Sequence, residues 1–293
     1  MDLLSLDPGV WEPILIAAGY SAIVATGLYF SNSAGALSAA HAAFAGIGGY
    51  VAAVLTTNFG LPFVVALVAA MVAAAAVGSL LALLTLRMDP LVASLTTLAF
   101  GEMLVVIAFN SSYLGGAQSF TGIPPLTQTW QVYLGLALVL FVAWRFDGSR
   151  IGLAAQACRH NEGAAAASGI NTPRVKVTVF AIGTAVAGLG GGFRAHYVLV
   201  QNPNDMAFWV SVNYLIFWIF GGAYSFWGPA LGAITLTIVP ELLRFSTEDR
   251  YIVYGALLVA FVLLRPDGIV PRFAMGSLSR WRIVFHKRPV GRE

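Results

Sequence analysis

Long apolar runs alternate with short polar breaks along nearly the whole chain. About 20 consecutive apolar residues cross a bilayer as helix. On that length scale the pattern predicts spans near 11–30, 37–57, 61–86, 91–110, 131–145, 177–197, 207–222, 229–243 and 251–264. The expected fold is all-α: a polytopic membrane protein of about nine transmembrane helices, with eight to ten as the range. The 37–57 run is rich in Gly and Ala, and a broken or re-entrant segment is expected there. The last three runs are short, so one of them is expected to be a half-helix.

The polar breaks carry a directional signal. Lys and Arg accumulate on the cytoplasmic side of membrane helices. With the N-terminus outside, the inner segments hold Arg87, then Arg145, Arg150, Arg159, Arg174 and Lys176, and seven more from Arg265 to Arg292. Only Arg194, Arg244 and Arg250 fall outside. The expected topology is therefore N-out and C-in. Residues 1–270 read as one transmembrane domain and 271–293 as a basic tail suited to an anionic leaflet.

Composition narrows the function. Hydrophobic residues make up 58% of the chain and charged residues 10%, against about 25% charged in a soluble domain. The net charge of +3 is not a nucleic-acid signal, because the basic residues edge apolar runs. A single cysteine, Cys158, leaves no intrachain disulfide and no cysteine-rich metal site. The lysines Lys176 and Lys287 follow Val175 and His286, so neither belongs to a Gly-Lys-Ser/Thr phosphate loop. No pair of the four histidines has metal-ligand spacing, and Ser38 and His41 lack the frame of a catalytic serine.

Few polar residues lie inside the apolar runs. Glu102 is the one acid in mid-span, in LTTLAFGEML. A charged group at bilayer centre costs roughly 2.5–3.5 kcal/mol on insertion scales. It therefore reads either as a polar group on a translocation path or as a carboxyl hydrogen-bonded to a neighbouring helix. Thr97 and Asn110 share its span, and His41 lies near the inner start of the second; all are candidate path residues. Gln118, in the long outer loop, and Arg194, at the outer end of the sixth span, are candidates for docking an external protein.

The break from Arg145 to Lys176 is long, basic and full of alanine, which favours helix over slack loop. A helix is expected over 152–169, stopped by Asn171 and Pro173. It would place Glu162, Ala165, Ala166 and Gly169 on one face. Such a small-residue face suits a cleft on a cytoplasmic partner, with Arg150 and Arg159 pairing at the rim.

Several segments in order resemble the permease subunits of branched-chain amino-acid importers of the ATP-binding-cassette (ABC) class, in particular the M-type member of the Liv system. They are Leu37–Tyr50 (LSAAHAAFAGIGGY), Leu98–Glu102 (LAFGE), Gly122–Pro124, Arg159–Glu162 (RHNE) with Gly169–Asn171, Ala195–Tyr197, Gly221–Pro229 (GGAYSFWGP) and Arg265–Gly268 (RPDG). The resemblance runs from about residue 30 to 270. It implies the ABC importer permease fold and a coupling helix within about 150–171. Asn161, Glu162, Ala164, Ala165 and Gly169 would occupy the coupling signature, with Gly163 as one extra residue.

It further implies a second homologous permease subunit, two cytoplasmic ATP-binding subunits, an extracytoplasmic substrate-binding protein and an inner-membrane location. No cofactor is expected on this chain itself; ATP and Mg would bind the partner subunits. The chain would be a transport subunit rather than an enzyme. Departures at Arg87–Pro90, at Gln118–Phe120 and in the aromatic turn Tyr224–Trp227 leave urea, amides and aromatic acids open beside branched-chain amino acids. An ion-coupled secondary transporter is the alternative class, though one buried glutamate is little with which to couple an ion.

Overall fold

The computed structural model describes residues 8–36, 38–86, 88–242 and positions 255, 259, 268 and 269. Ten helices are described: α1 (Pro8–Asn32), α2 (His41–Thr57), α3 (Phe63–Thr85), α4 (Pro90–Asn110), α5 (Thr129–Asp147), α6 (Arg150–His160), α7 (Glu162–Ala167), α8 (Thr172–Val198), α9 (Phe208–Gly221) and α10 (Gly228–Leu242). Two short strands, β1 (Phe120–Thr121) and β2 (Val200–Gln201), pair antiparallel with Phe120 opposite Gln201. They tie the loop after α4 to the exit of α8.

Five helices among the described residues are long and apolar enough to cross a membrane: Trp11–Asn32, Phe63–Thr85, Leu91–Asn110, Thr129–Asp147 and Thr172–Val198. Shorter apolar helices are His41–Thr57 and Phe208–Gly221. With α10, these match eight of the nine spans expected from the sequence. The span near 251–264 and the tail 271–293 lie outside the described residues.

The two irregular spans have a physical basis. The 37–57 run gives up its start: α2 begins only at His41, while Ser38, Ala39 and Ala40 are buried without helical structure. Irregular backbone is tolerated at membrane depth only inside protein, and here side chains satisfy it. The Ser38 amide donates to Asn32 Oδ1 (3.2 Å), the Ala39 amide to Thr97 Oγ1 (3.0 Å) and the Ala42 amide to Ser211 Oγ (3.1 Å). Helix α9 has 14 residues and reaches about 21 Å, short of the roughly 30 Å hydrocarbon core.

Helix α8 is the axis, packing along α1, α2 and α3. Its small residues let backbones meet. A Cβ on Gly191 would sit 1.8 Å from the Ala45 carbonyl oxygen, and one on Gly48 would sit 2.2 Å from that of Gly188. Close approach of this kind is how membrane helices associate where lipid supplies no hydrophobic drive. The outward faces of α3 and α5 are hydrocarbon, with Val64, Val68, Val72, Leu80 and Leu84 on α3 and Leu134, Leu138 and Phe141 on α5. Exposed Trp130 and Trp144 bracket α5 near its two ends, the arrangement of residues at the two interfaces of a bilayer.

Candidate functional site

At one end of the bundle, α6 and α7 form a helical hairpin off the membrane helices. The sequence leads one to expect a single helix over 152–169; the structure breaks it at Asn161. That residue is extended (φ −159°, ψ 105°) and its Oδ1 accepts from the Ala164 amide at 3.0 Å, which makes it the N-cap of α7. An asparagine side chain competes well for such a role, so capping outweighs helix propensity here. α6 starts at Arg150 with its own cap, Ser149 Oγ accepting from the Gly152 amide at 3.0 Å. Gly169 terminates α7 in a left-handed conformation (φ +84°). The Ile170 amide donates to Ala165 O and the Gly169 amide to Ala166 O, the bonding of a glycine C-cap.

The break redistributes the expected face. Ala165 is buried, whereas Gly163, Ala164, Ala166, Ala167 and Gly169 are exposed. Glu162 turns back onto the start of α8: Lys176 Nζ donates to its Oε2 at 2.6 Å and Thr172 Oγ1 to its Oε1 at 3.2 Å. Arg150 is exposed. Arg159 is not at a free rim, because its guanidinium lies 4.3 Å from the centre of the Tyr224 ring. Buried Cys158 faces the bundle from α6, and desolvation pushes its thiol above the usual range, with Glu162 adding and Lys176 opposing.

In the middle of the bundle, α4 receives the starts of two other helices. Glu102 is half-buried and its Oε1 accepts from the Phe208 amide at 2.7 Å. A carboxylate at a helix N-terminus satisfies an orphan donor and meets the positive end of the dipole. Of the two readings open for Glu102, this geometry is the hydrogen bond to a neighbouring helix. One turn and a half earlier, buried Thr97 accepts from Ala39 and donates to Ser94 O at 2.8 Å. Thr97, Glu102 and Ser211 thus hold the interior starts of α2 and α9. Ser211 was not legible from the sequence, since a serine in an apolar run usually bonds its own backbone.

His41 and Asn110 lie apart from this group. His41 is 0% exposed, edge-on to Phe44 and against Gly27 of α1. Neither ring nitrogen makes a hydrogen bond of normal geometry. Asn110 ends α4, exposed, with its Nδ2 donating to Val106 O at 2.8 Å.

At the opposite end, Gln118 is exposed at the close of a short 3₁₀ turn, and the loop around it is folded rather than slack. Arg194 is committed inward. Its Nη1 donates to Asp205 Oδ2 at 2.8 Å and its Nη2 lies 2.7 Å from Oδ1, a bidentate pair in which the arginine side chain is 22% exposed. Asp205 also caps the Asn202 amide. Arg194 therefore fixes the 199–207 connection that delivers α9 to Glu102. No group of three or more His, Cys, Asp or Glu among the described residues could hold a metal ion.

A multi-pass helical membrane protein with interior helix starts and a capped helical hairpin at one end is the class this architecture defines. The chain matches the family model for the permease component of branched-chain amino acid transport systems over residues 11–262, and it belongs to that family. It is 29% identical over 302 residues to the high-affinity branched-chain amino acid transport permease LivM of Escherichia coli K12, covering 91% of this chain and 70% of the relative. LivH of the same organism is 34% identical over 139 residues, 47% of this chain and 44% of the relative. A probable LivM of Methanocaldococcus jannaschii is 23% identical over 235 residues, 71% and 68% of the two chains. No solved structure matches.

Proposed function

We propose that this chain is one half of the membrane channel of an ABC importer for branched-chain amino acids. Family membership over residues 11–262 carries that reading. The α6–α7 hairpin is the coupling element and docks on a cytoplasmic ATP-binding subunit. Its bare alanine face is the surface that enters the partner. The Lys176–Glu162 pair joins α7 to α8, so a push on the hairpin reaches the helix packed against α1, α2 and α3.

The orientation follows from the basic residues and places the α6–α7 end in the cytoplasm, with Gln118 outside, N-out and C-in, in an inner membrane. A second, homologous permease completes the pathway. Two ATPases and an extracytoplasmic binding protein complete the machine, and Gln118 is the docking residue assigned to that binding protein. Arg194 supports that end indirectly, through Asp205. ATP and Mg belong to the ATPases.

Reconstitution in liposomes tests the function. The chain with its partner permease, both ATPases and the binding protein should take up leucine, isoleucine or valine on ATP addition and not under a proton or sodium gradient alone. Gradient-driven uptake without ATP would replace the ABC reading by an ion-coupled one. ATP-driven uptake of urea, amides or aromatic acids in place of leucine would keep the machine and change its cargo. Reporter fusions at Gly148 and Gln118 should place the first in the cytoplasm and the second outside.

A further inference from the structure

The outward face of α9 differs from those of α3 and α5. Ser211, Tyr214, Phe217 and Trp218 bury one side of this helix. The other side exposes Trp209, at 74%, and one turn later Asn213. The Asn213 Nδ2 donates to Trp209 O at 3.2 Å; its second N–H and its Oδ1 meet no partner among the described residues. On α3 and α5 the exposed side chains in the middle of each helix are hydrocarbon.

Depth can be read from the neighbours. α9 starts at Glu102, midway along the 21-residue α4. It ends beside the turn whose Tyr224 ring meets Arg159 of α6. Asn213 thus lies between the centre of the bundle and its α6–α7 end. Hydrocarbon offers nothing to an unpaired amide, and polar groups inside membranes face water-filled cavities or other protein. The buried side of α9 packs on α10, α1 and α2, while Ile219, nearer its end, is also exposed but hydrocarbon.

We propose that Trp209 and Asn213 line the inner half of the substrate route, in water, with the second permease subunit closing the far wall. This rests on the permease reading above. Asn213 contributes an amide that can donate to or accept from the polar end of an amino acid, and Trp209 an apolar ring for its side chain. The starts of α9 and α2, fixed to α4 by Glu102 and Thr97, hold these two residues at that depth.

The test uses the assembled complex in liposomes, with Cys158→Ser as background because that buried thiol is the chain's only one. Cysteines are placed by Asn213→Cys and, as lipid-facing controls, by Val72→Cys on α3 and Leu138→Cys on α5. A cationic methanethiosulfonate reacts with thiolates, which form in water and not in lipid. The Asn213 position should label at least about ten-fold faster than both controls, since only it would be hydrated. ATP turnover should change its rate and leave the controls unchanged. Asn213→Leu should cut uptake with the four-subunit core still co-purifying.

Labelling at Asn213 no faster than at Leu138, or uptake undiminished by Asn213→Leu, overturns the proposal: the face then meets lipid or is sealed by protein, including the chain's own segment beyond residue 242. If the intact complex transports another solute, the cargo assignment fails while the labelling contrast still decides the route.

Discussion

Helices α8 and α7 are both built from small residues, and use them in opposite ways. Along α8, Gly183, Gly188 and Gly191 are buried and pressed on the backbones of α1, α3 and α2. Along α7, Ala164, Ala166, Ala167 and Gly169 are exposed, and nothing lies within 4 Å of where a Gly169 Cβ would be. The α8 glycines already have their partner helices within this chain. Ala165 is buried against the bundle, but Ala164, Ala166 and Ala167 are exposed among the described residues, and a bare, shallow surface on a rigid capped turn is what a cleft on another protein can accept. Small residues in a membrane protein thus serve packing where a helix faces them, as along α8, and stand open where none does, as along the outward face of α7.

The comparison is broken most severely from the α8 side. Gly191→Leu must displace α2, because even its Cβ would meet the Ala45 carbonyl oxygen at 1.8 Å. Overpacking costs typically about 1–3 kcal/mol and more where the clash is with backbone. The expected outcome is little monodisperse permease after solubilisation. Normal yield and a normal size-exclusion profile would mean that α8 and α2 do not pack as described.

The α7 side should break differently. A Cβ at Gly169 has no described atom within 4 Å, so for Gly169→Trp the permease should accumulate, with the left-handed backbone strained by about 1–2 kcal/mol. On the proposed docking, the indole would project into the cleft of the ATPase. A docking loss of about 1.4 kcal/mol is ten-fold in affinity, and co-purified ATPase and uptake should fall by at least that. Gly169→Asn, which tolerates the left-handed conformation, should keep both. Glu162→Arg removes the tie to Lys176 and Thr172 and should lower uptake more than ATPase binding. Full ATPase recovery and uptake with both Gly169→Trp and Glu162→Arg would return the hairpin to an ordinary basic loop.

These distinctions bear on what was legible in the chain alone. Eight apolar runs became helices, because a 3.6-residue helix is the one way an isolated apolar run satisfies its backbone in lipid. The alanine-rich break is helical, as its composition leads one to expect. The kink at Asn161 was missed: its capping of Ala164 depends on local dihedrals that composition does not encode. The pairing of Arg194 with Asp205, 11 residues apart, needed the turn at Asn202–Asp205 to bring them together. Glu102 was visible as an anomaly, but its partner is the backbone of Phe208, 106 positions away. A backbone amide carries no sequence signature at all.

A smaller effect should follow at Glu102, where the middle of the bundle combines packing with polarity. Glu102→Gln keeps an oxygen for the Phe208 amide. Glu102→Leu leaves that donor unsatisfied, at a cost of about 1–3 kcal/mol. Thermal stability of the purified permease should fall clearly for Leu and little for Gln, and uptake should follow the same order. Equal stability of the two variants would show that the bond to α9 contributes nothing. Abolished uptake with Gln in a stable complex would show that the charge itself is needed.

The smallest effect tests whether α6 is as firmly seated as α8. Cys158 is 5% exposed on the inward side of α6, and burial raises its thiol, with the Glu162 carboxylate adding to the shift. The thiolate reacts and the thiol does not. Maleimide should therefore label Cys158 slowly at neutral pH, with the rate still climbing above the pH at which a free cysteine levels off. A cysteine introduced by Ala164→Cys, six positions on and on the open face of α7, should label roughly ten-fold faster or more. Adding the ATPase should slow the second reaction and leave the first alone, since the proposed docking covers the outward face only. Equal rates at the two positions without ATPase would mean that α6 lifts off the bundle, and that the hairpin is no rigid lever on α8.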